Sequence, residues 1–158
     1  MEFFAWLQRS AVSQWVAGSP SLLAYPTILT LHTVGMSIVV GTCAVMALRV
    51  LGVAPDMPLS AFRHAPRLVW GGFIVNAATG LALFGMDAEH KATQTVFFVK
   101  LAFIALALVC YARMRRQAFA PPAAAEARIG GEARMLAVMS LILWAGATVA
   151  GRLMAYMV

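Results

Sequence analysis

Residues 22 to 51, LLAYPTILTLHTVGMSIVVGTCAVMALRVL, decide the fold. The run has no acid, and its only fixed charge, Arg49, stands at its far end. Crossing about 30 Å of hydrocarbon takes about 20 helical residues at about 1.5 Å each, and this run exceeds that length. Three further runs are long enough to do the same: Leu68 to Met86, Thr93 to Tyr111 and Met135 to Val158. In lipid every backbone group must be satisfied within the protein, so only helices or a closed barrel can span. None of the four runs alternates polar and apolar residues as barrel strands do. The expectation is an all-α fold, an integral membrane four-helix bundle with residues 1 to 158 as one transmembrane domain.

Composition agrees with that reading. The apolar set makes up 62% of the 158 residues and the charged set 11%, where a soluble domain shows about half and about a quarter. Six acids and twelve bases cannot cover the surface of a water-soluble ball of this size. The lipid bilayer is therefore the first partner. A net charge of +6 raises the question of nucleic acid, but the bases form no stripe with interleaved aromatics, which excludes it. Cys43 and Cys110 both fall inside apolar runs and read as small buried apolar residues. Met1-Glu2-Phe3 lacks the basic start of a secretory signal, so the N-terminus is expected to be retained.

The connections between runs set an orientation. Arg49, Arg63 and Arg67 lie in or beside the first connection, and Arg113, Arg115, Arg116, Arg128 and Arg134 in or beside the third. Basic connections stay cytoplasmic. The short acidic connection Asp87-Ala88-Glu89-His90-Lys91 and both termini are then expected outside, in the periplasm of a bacterial inner membrane. In the third connection, Pro121-Pro122-Ala123-Ala124-Ala125 reads as a plain spacer. Ahead of the first run, Phe3, Phe4, Trp6, Leu7 and Trp15 alternate with Gln8, Arg9, Ser13 and Gln14. That mixture suits a short interfacial helix over about residues 3 to 17, anchored by its aromatics at headgroup level.

Polar side chains within the runs are few, and charge at depth is costly enough to raise a functional reading. They are His32 in the first run, Asn76 and Thr79 in the second, Lys100 in the third, and Thr148 and Arg152 in the fourth. Counted from the outer ends at helical rise, His32 and Asn76 lie about 15 Å deep, Lys100 about 10 Å and Arg152 about 9 Å. All four fall in the outer half. Trp144, Thr148, Arg152 and Tyr156 recur every four residues and are expected to share a face of the fourth helix. Gly72, Asn76 and Gly80 make a small polar face on the second, and His32 shares a face with Leu29, Gly35 and Met36. Such small residues leave room for something flat. The four runs hold no Asp or Glu to balance Lys100 and Arg152, so either Asp87 and Glu89 reach down or a bound anion supplies the charge.

An intramembrane imidazole with two cations nearer the aqueous face suits a b-type haem. His32 would hold the iron, Lys100 and Arg152 would neutralise the propionates, and Asn76, Met36 and Tyr156 complete the candidate set. No C-x-x-C-H is present, which excludes c-type attachment. The expected role is a cytochrome b-like electron-transfer subunit, its partner a periplasmic or membrane redox protein or a quinone. No acid/base pair within a substrate pocket is identified, so no catalytic residue is assigned. Two alternatives stand beside this. One is a membrane anchor or assembly subunit without cofactor. The other is copper(I) handling by His32 and Met36 with Met86, Met154 and Met157, since copper(I) prefers thioether and imidazole ligands. Glycine-bearing faces such as Gly35 to Gly41 can pack within the bundle or between protomers, which makes a second copy of the chain a candidate partner.

The stretches LHTVGMSIVVGTCAVMALRVLG, WGGFIVNAATGLALF, FFVKLAFIALAL and GRLMAY also resemble a group of bacterial four-helix membrane proteins. That group is similar to the CopD copper-resistance and HemJ protoporphyrinogen-oxidase membrane families. The similarity covers roughly Leu22 to Tyr156. In HemJ-like proteins a His in an early helix and a Lys in a later KL pair are the functional residues and haem b is bound. His32 and Lys100 match those positions, so the resemblance implies haem and makes these two its site residues. The GRLMAY ending and the N-terminal segment fit the four-helix group better than HemJ.

Overall fold

The computed structural model describes residues 6, 8 to 18, 24 to 53, 55 to 119, 129 to 154 and 156. Among these the chain is mostly helical and contains no strand. Its elements are α1 (Ala11–Gly18), α2 (Ala24–Leu51), a 3-10 helix (Leu59–His64), α3 (Ala65–Gly85), α4 (Ala88–Lys91), α5 (Thr95–Ala118) and α6 (Gly131–Leu153). Four of them, α2, α3 with the preceding 3-10 helix, α5 and α6, are long and apolar enough to cross a membrane. The fold is all-α. The sequence-based spacer at residues 121 to 125, residues 3 to 5 and 7 of the interfacial segment, and Met157 lie outside the described residues.

The long helices keep narrow buried stripes and expose the rest. On α2 the buried positions Gly35, Val39, Cys43, Met46, Ala47 and Val50 recur at three- and four-residue steps, one side of a 3.6-residue turn. Large apolar side chains such as Leu31, Ile38, Val45, Ile74, Leu81, Leu106 and Ile142 stand exposed around the other sides. In water that surface would be very unfavourable, whereas hydrocarbon chains solvate it at no cost. The exposed faces of the helices are therefore compatible with an apolar solvent.

The described chain divides into two compact units. The first comprises residues up to Val39 together with Leu68–Thr95. It pairs the N-terminal part of α2 with α3 and includes α1 and α4. The second comprises Val40–Arg67 and the chain from Val96 onward, so it holds the C-terminal part of α2, the 3-10 helix, α5 and α6. In the second unit Phe62 of the 3-10 helix meets Phe119 edge-on at 5.3 Å between ring centres. Arg49 Nε donates to the Met57 carbonyl at 2.6 Å, which fastens the connection after α2 to the helix end. Gly52, at φ 91°, supplies the left-handed residue that ends α2.

In the first unit, the expected acidic connection after α3 is the helical turn α4. Lys91 closes it by donating from Nζ to the Leu83 carbonyl at 2.5 Å. Burial holds the Lys91 amine below the ordinary lysine pKa, and the neighbouring Asp87 carboxylate offsets part of that shift. On α1, Ser13 and Val16 are buried while Trp15 is 56% exposed.

Candidate functional site

His32 sits on α2 in the first unit, half-buried and clamped to α3. Its Nδ1 lies 3.0 Å from the Asn76 backbone carbonyl and 3.1 Å from Thr79 Oγ1. A carbonyl oxygen only accepts, so Nδ1 carries the proton and donates. The Thr79 hydroxyl donates to the Val75 carbonyl at 2.6 Å, which leaves its lone pairs for the imidazole. In return, Asn76 Nδ2 donates to the His32 backbone carbonyl at 2.8 Å. Each residue's side chain therefore bonds the other's backbone. With the proton at Nδ1, the neutral ring carries its lone pair on Nε2, the arrangement that second-shell hydrogen bonds impose on metal-ligating histidines.

Glycines make this clamp possible. A Cβ on Gly35 would stand 2.9 Å from both the Asn76 nitrogen and the Gly72 carbonyl oxygen, and one on Gly80 would stand 3.1 Å from His32 Cε1. The small faces of α2 and α3 are thus filled by helix-to-helix contact and by the imidazole itself. The expectation that Gly35, Gly72 and Gly80 leave room for a flat group between these two helices is corrected on this point. Met36, one turn along from His32, is half-buried.

The second unit holds the cations. The Lys100 side chain runs along Gly151, where an added Cβ would lie 3.4 Å from both Cε and Nζ. Arg152, the next residue on α6, is exposed. None of residues 95 to 106 is fully buried, but Val96, Phe97, Lys100, Phe103 and Ile104 are half-buried, and the Phe103 ring is seated on Gly146. The expected stripe of Trp144, Thr148, Arg152 and Tyr156 does not stay on one environment. Trp144 is buried, Thr148 and Arg152 are exposed, and Tyr156 lies beyond the end of α6 with 73% of its surface exposed. A strict four-residue repeat drifts about 40° per step against a 3.6-residue turn, which carries Arg152 well round from Trp144.

The structure therefore brings His32, Asn76 and Thr79 together in the first unit, and Lys100 beside the residue preceding Arg152 in the second. Among the described residues no group of three or more His, Cys, Asp and Glu side chains could hold a metal ion. Two features escaped sequence reading. One is the seating of the imidazole against Gly80. The other is the complete burial of Ser140 on α6, a polar residue that its apolar run gave no reason to single out. Compared with protein-family models, curated proteins and solved structures, the chain matches none. The functional reading consequently rests on its own residues.

Proposed function

We propose that this chain is a membrane-embedded, haem b-binding electron-transfer subunit of the bacterial inner membrane, in which His32 would hold the iron. One observation carries the reading: the bond from His32 Nδ1 to the Asn76 carbonyl, which commits the lone pair of the neutral ring to Nε2. The donor set fits haem better than copper(I), because one imidazole suffices for haem iron while soft metal sites gather several thioether or thiolate groups. Bound haem would supply a one-electron couple within the hydrocarbon. The protein's part is to hold the imidazole in a single tautomer through the Asn76 carbonyl and Thr79. A periplasmic redox protein, a membrane redox protein or a quinone would exchange the electron.

A second reading has its own support. The reciprocal His32 and Asn76 bonds satisfy both residues as interhelical clamps, which is what an anchor or assembly subunit without cofactor would need. A reduced-minus-oxidised difference spectrum of purified protein separates the two. The haem reading expects a Soret band in the wild type that is lost in His32→Ala protein retaining its helical circular dichroism. A full haem complement in folded His32→Ala protein overturns the ligand assignment. Wild-type protein with neither Soret band nor haem on acid extraction leaves the anchor reading.

A further inference from the structure

The far side of α5 in the second unit carries apolar and cationic residues in the order a phospholipid presents its own parts. The buried positions Ala107, Tyr111, Met114 and Ala118 recur at steps of three and four and pack the helix into its unit. Leu106, Val109, Arg113 and Arg116 recur at the same steps, and all four are exposed. At about 100° per residue the two stripes are centred roughly 150° apart. The exposed stripe is apolar along the helix and doubly cationic at its end.

The 3-10 helix brings a third cation to that end. Phe62 meets Phe119 edge-on with ring centres 5.3 Å apart, and Arg63 is the residue after Phe62. Arg116 stands three residues before Phe119, about 4.5 Å along the axis. The Phe119 N–H donates to the Arg115 carbonyl at 3.0 Å, so helical geometry continues through the arginines to the ring. Arg63 directs one N–H at His64 Nε2, 3.3 Å away. Among the described residues none of Arg63, Arg113 and Arg116 is held in an ion pair, and the acids of the adjoining segments, Asp56 and Glu132, are exposed and make none either.

Guanidinium forks without a carboxylate suit phosphate oxygens. A free phosphate would satisfy them but would do nothing for Leu106 and Val109, or for Val53 and Met57 in the first connection, which are 67% and 40% exposed. A phospholipid meets both needs, with acyl chains on the apolar stripe and its phosphodiester on the cations. A zwitterionic headgroup brings its own cation and so repels the arginines in part, whereas an anionic one does not.

We propose that the exposed face of α5, completed by Arg63, is a docking surface for one anionic phospholipid, its acyl chain along Leu106 and Val109 and its phosphate among Arg63, Arg113 and Arg116. This rests on the membrane-spanning part of the function proposed above and not on haem.

The test is native mass spectrometry of the full chain released from detergent micelles that carry equimolar phosphatidylglycerol and phosphatidylcholine. The wild type should retain phosphatidylglycerol in preference, and Arg113→Gln and Arg116→Gln should each weaken that binding by about fivefold, as expected for one arginine near an anionic surface. Phe119→Ala keeps every charge and should also weaken binding, because the ring contact places Arg63. Arg9, exposed in the first unit, gives the control Arg9→Gln, which should change nothing. Circular dichroism confirms that each variant is folded. Equal retention of the two lipids overturns the proposal, as does displacement of phosphatidylglycerol by millimolar inorganic phosphate, which would make the site one for the free anion. Equal losses in Arg9→Gln and Arg113→Gln overturn it in favour of net charge alone, and unaltered binding in Phe119→Ala removes the built site. Wild-type protein that stays in the supernatant when cell membranes are pelleted overturns the membrane-spanning reading as well, whereas membrane-bound protein without lipid preference overturns this proposal only.

Discussion

The hydroxyl of Thr79 is the smallest group on which the two functional readings diverge. It accepts from His32 Nδ1 while donating to Val75, so Thr79→Val deletes one of two acceptors for the ring and preserves side-chain shape. The Asn76 carbonyl still holds the imidazole, because it belongs to the backbone of α3. If His32 ligates iron, loosening its orientation should weaken haem affinity by about 10- to 100-fold, the usual cost of losing an outer-shell partner. Haem titration of apo-protein reads this directly. If His32 is a clamp alone, the same variant loses about 1 kcal/mol of stability in a melt and nothing else changes. An unaltered haem affinity in Thr79→Val protein would remove Thr79 from the ligand's support.

At the scale of elements, close approach of α2 to α3 depends on atoms that are missing. Gly35→Ala would place a methyl group 2.9 Å from backbone atoms of Asn76 and Gly72, and backbone cannot rotate away as a side chain can. The helices must separate, which costs about 1 to 3 kcal/mol as overpacking and lengthens the His32 bonds. Gly71 provides the control, since nothing stands within 4 Å of its added Cβ. Gly71→Ala should be neutral or gain up to about 1 kcal/mol from helix propensity. Thermal melts of the two variants in one detergent check the contrast. The same helices show what sequence could and could not reveal. Apolar length located all four, since runs 22 to 51, 68 to 86, 93 to 111 and 135 to 158 overlay α2, α3, α5 and α6. The ends were less legible. α5 continues from Tyr111 to Ala118 through Arg113, Arg115 and Arg116, because a helix that has left hydrocarbon no longer needs apolar residues. Likewise α6 begins at Gly131, ahead of Met135, and stops at Leu153. Of the candidate site, the polar residues at depth were visible as exceptions to lipid composition. Their partners were not, because the His32 to Asn76 pairing spans 44 positions and is made partly by backbone.

For the whole molecule, the distribution of charge along the chain makes an orientation testable. Seven arginines, Arg49, Arg63, Arg67, Arg113, Arg115, Arg116 and Arg134, fall at the end of α2, in the 3-10 helix and the start of α3, at the end of α5 and at the start of α6. If all four helices cross, these ends share one side, which the bias of basic residues makes cytoplasmic. On the proposed orientation the turn α4 faces the periplasm, the side from which His32 would exchange electrons with a soluble partner. Glu89 and Arg63 are both exposed, one in each kind of connection. Cys43 is buried and therefore silent toward bulky reagents, while the half-buried Cys110 is removed by Cys110→Ala. In that background, Glu89→Cys should react with a membrane-impermeant maleimide in intact spheroplasts, and Arg63→Cys only after the membrane is opened. The reverse pattern would invert the topology and put the His32 end of the chain toward the cytoplasm, where a periplasmic redox partner could not reach it. Labelling of both positions in sealed spheroplasts would mean that the two connections share a side, and four full crossings would no longer describe the chain.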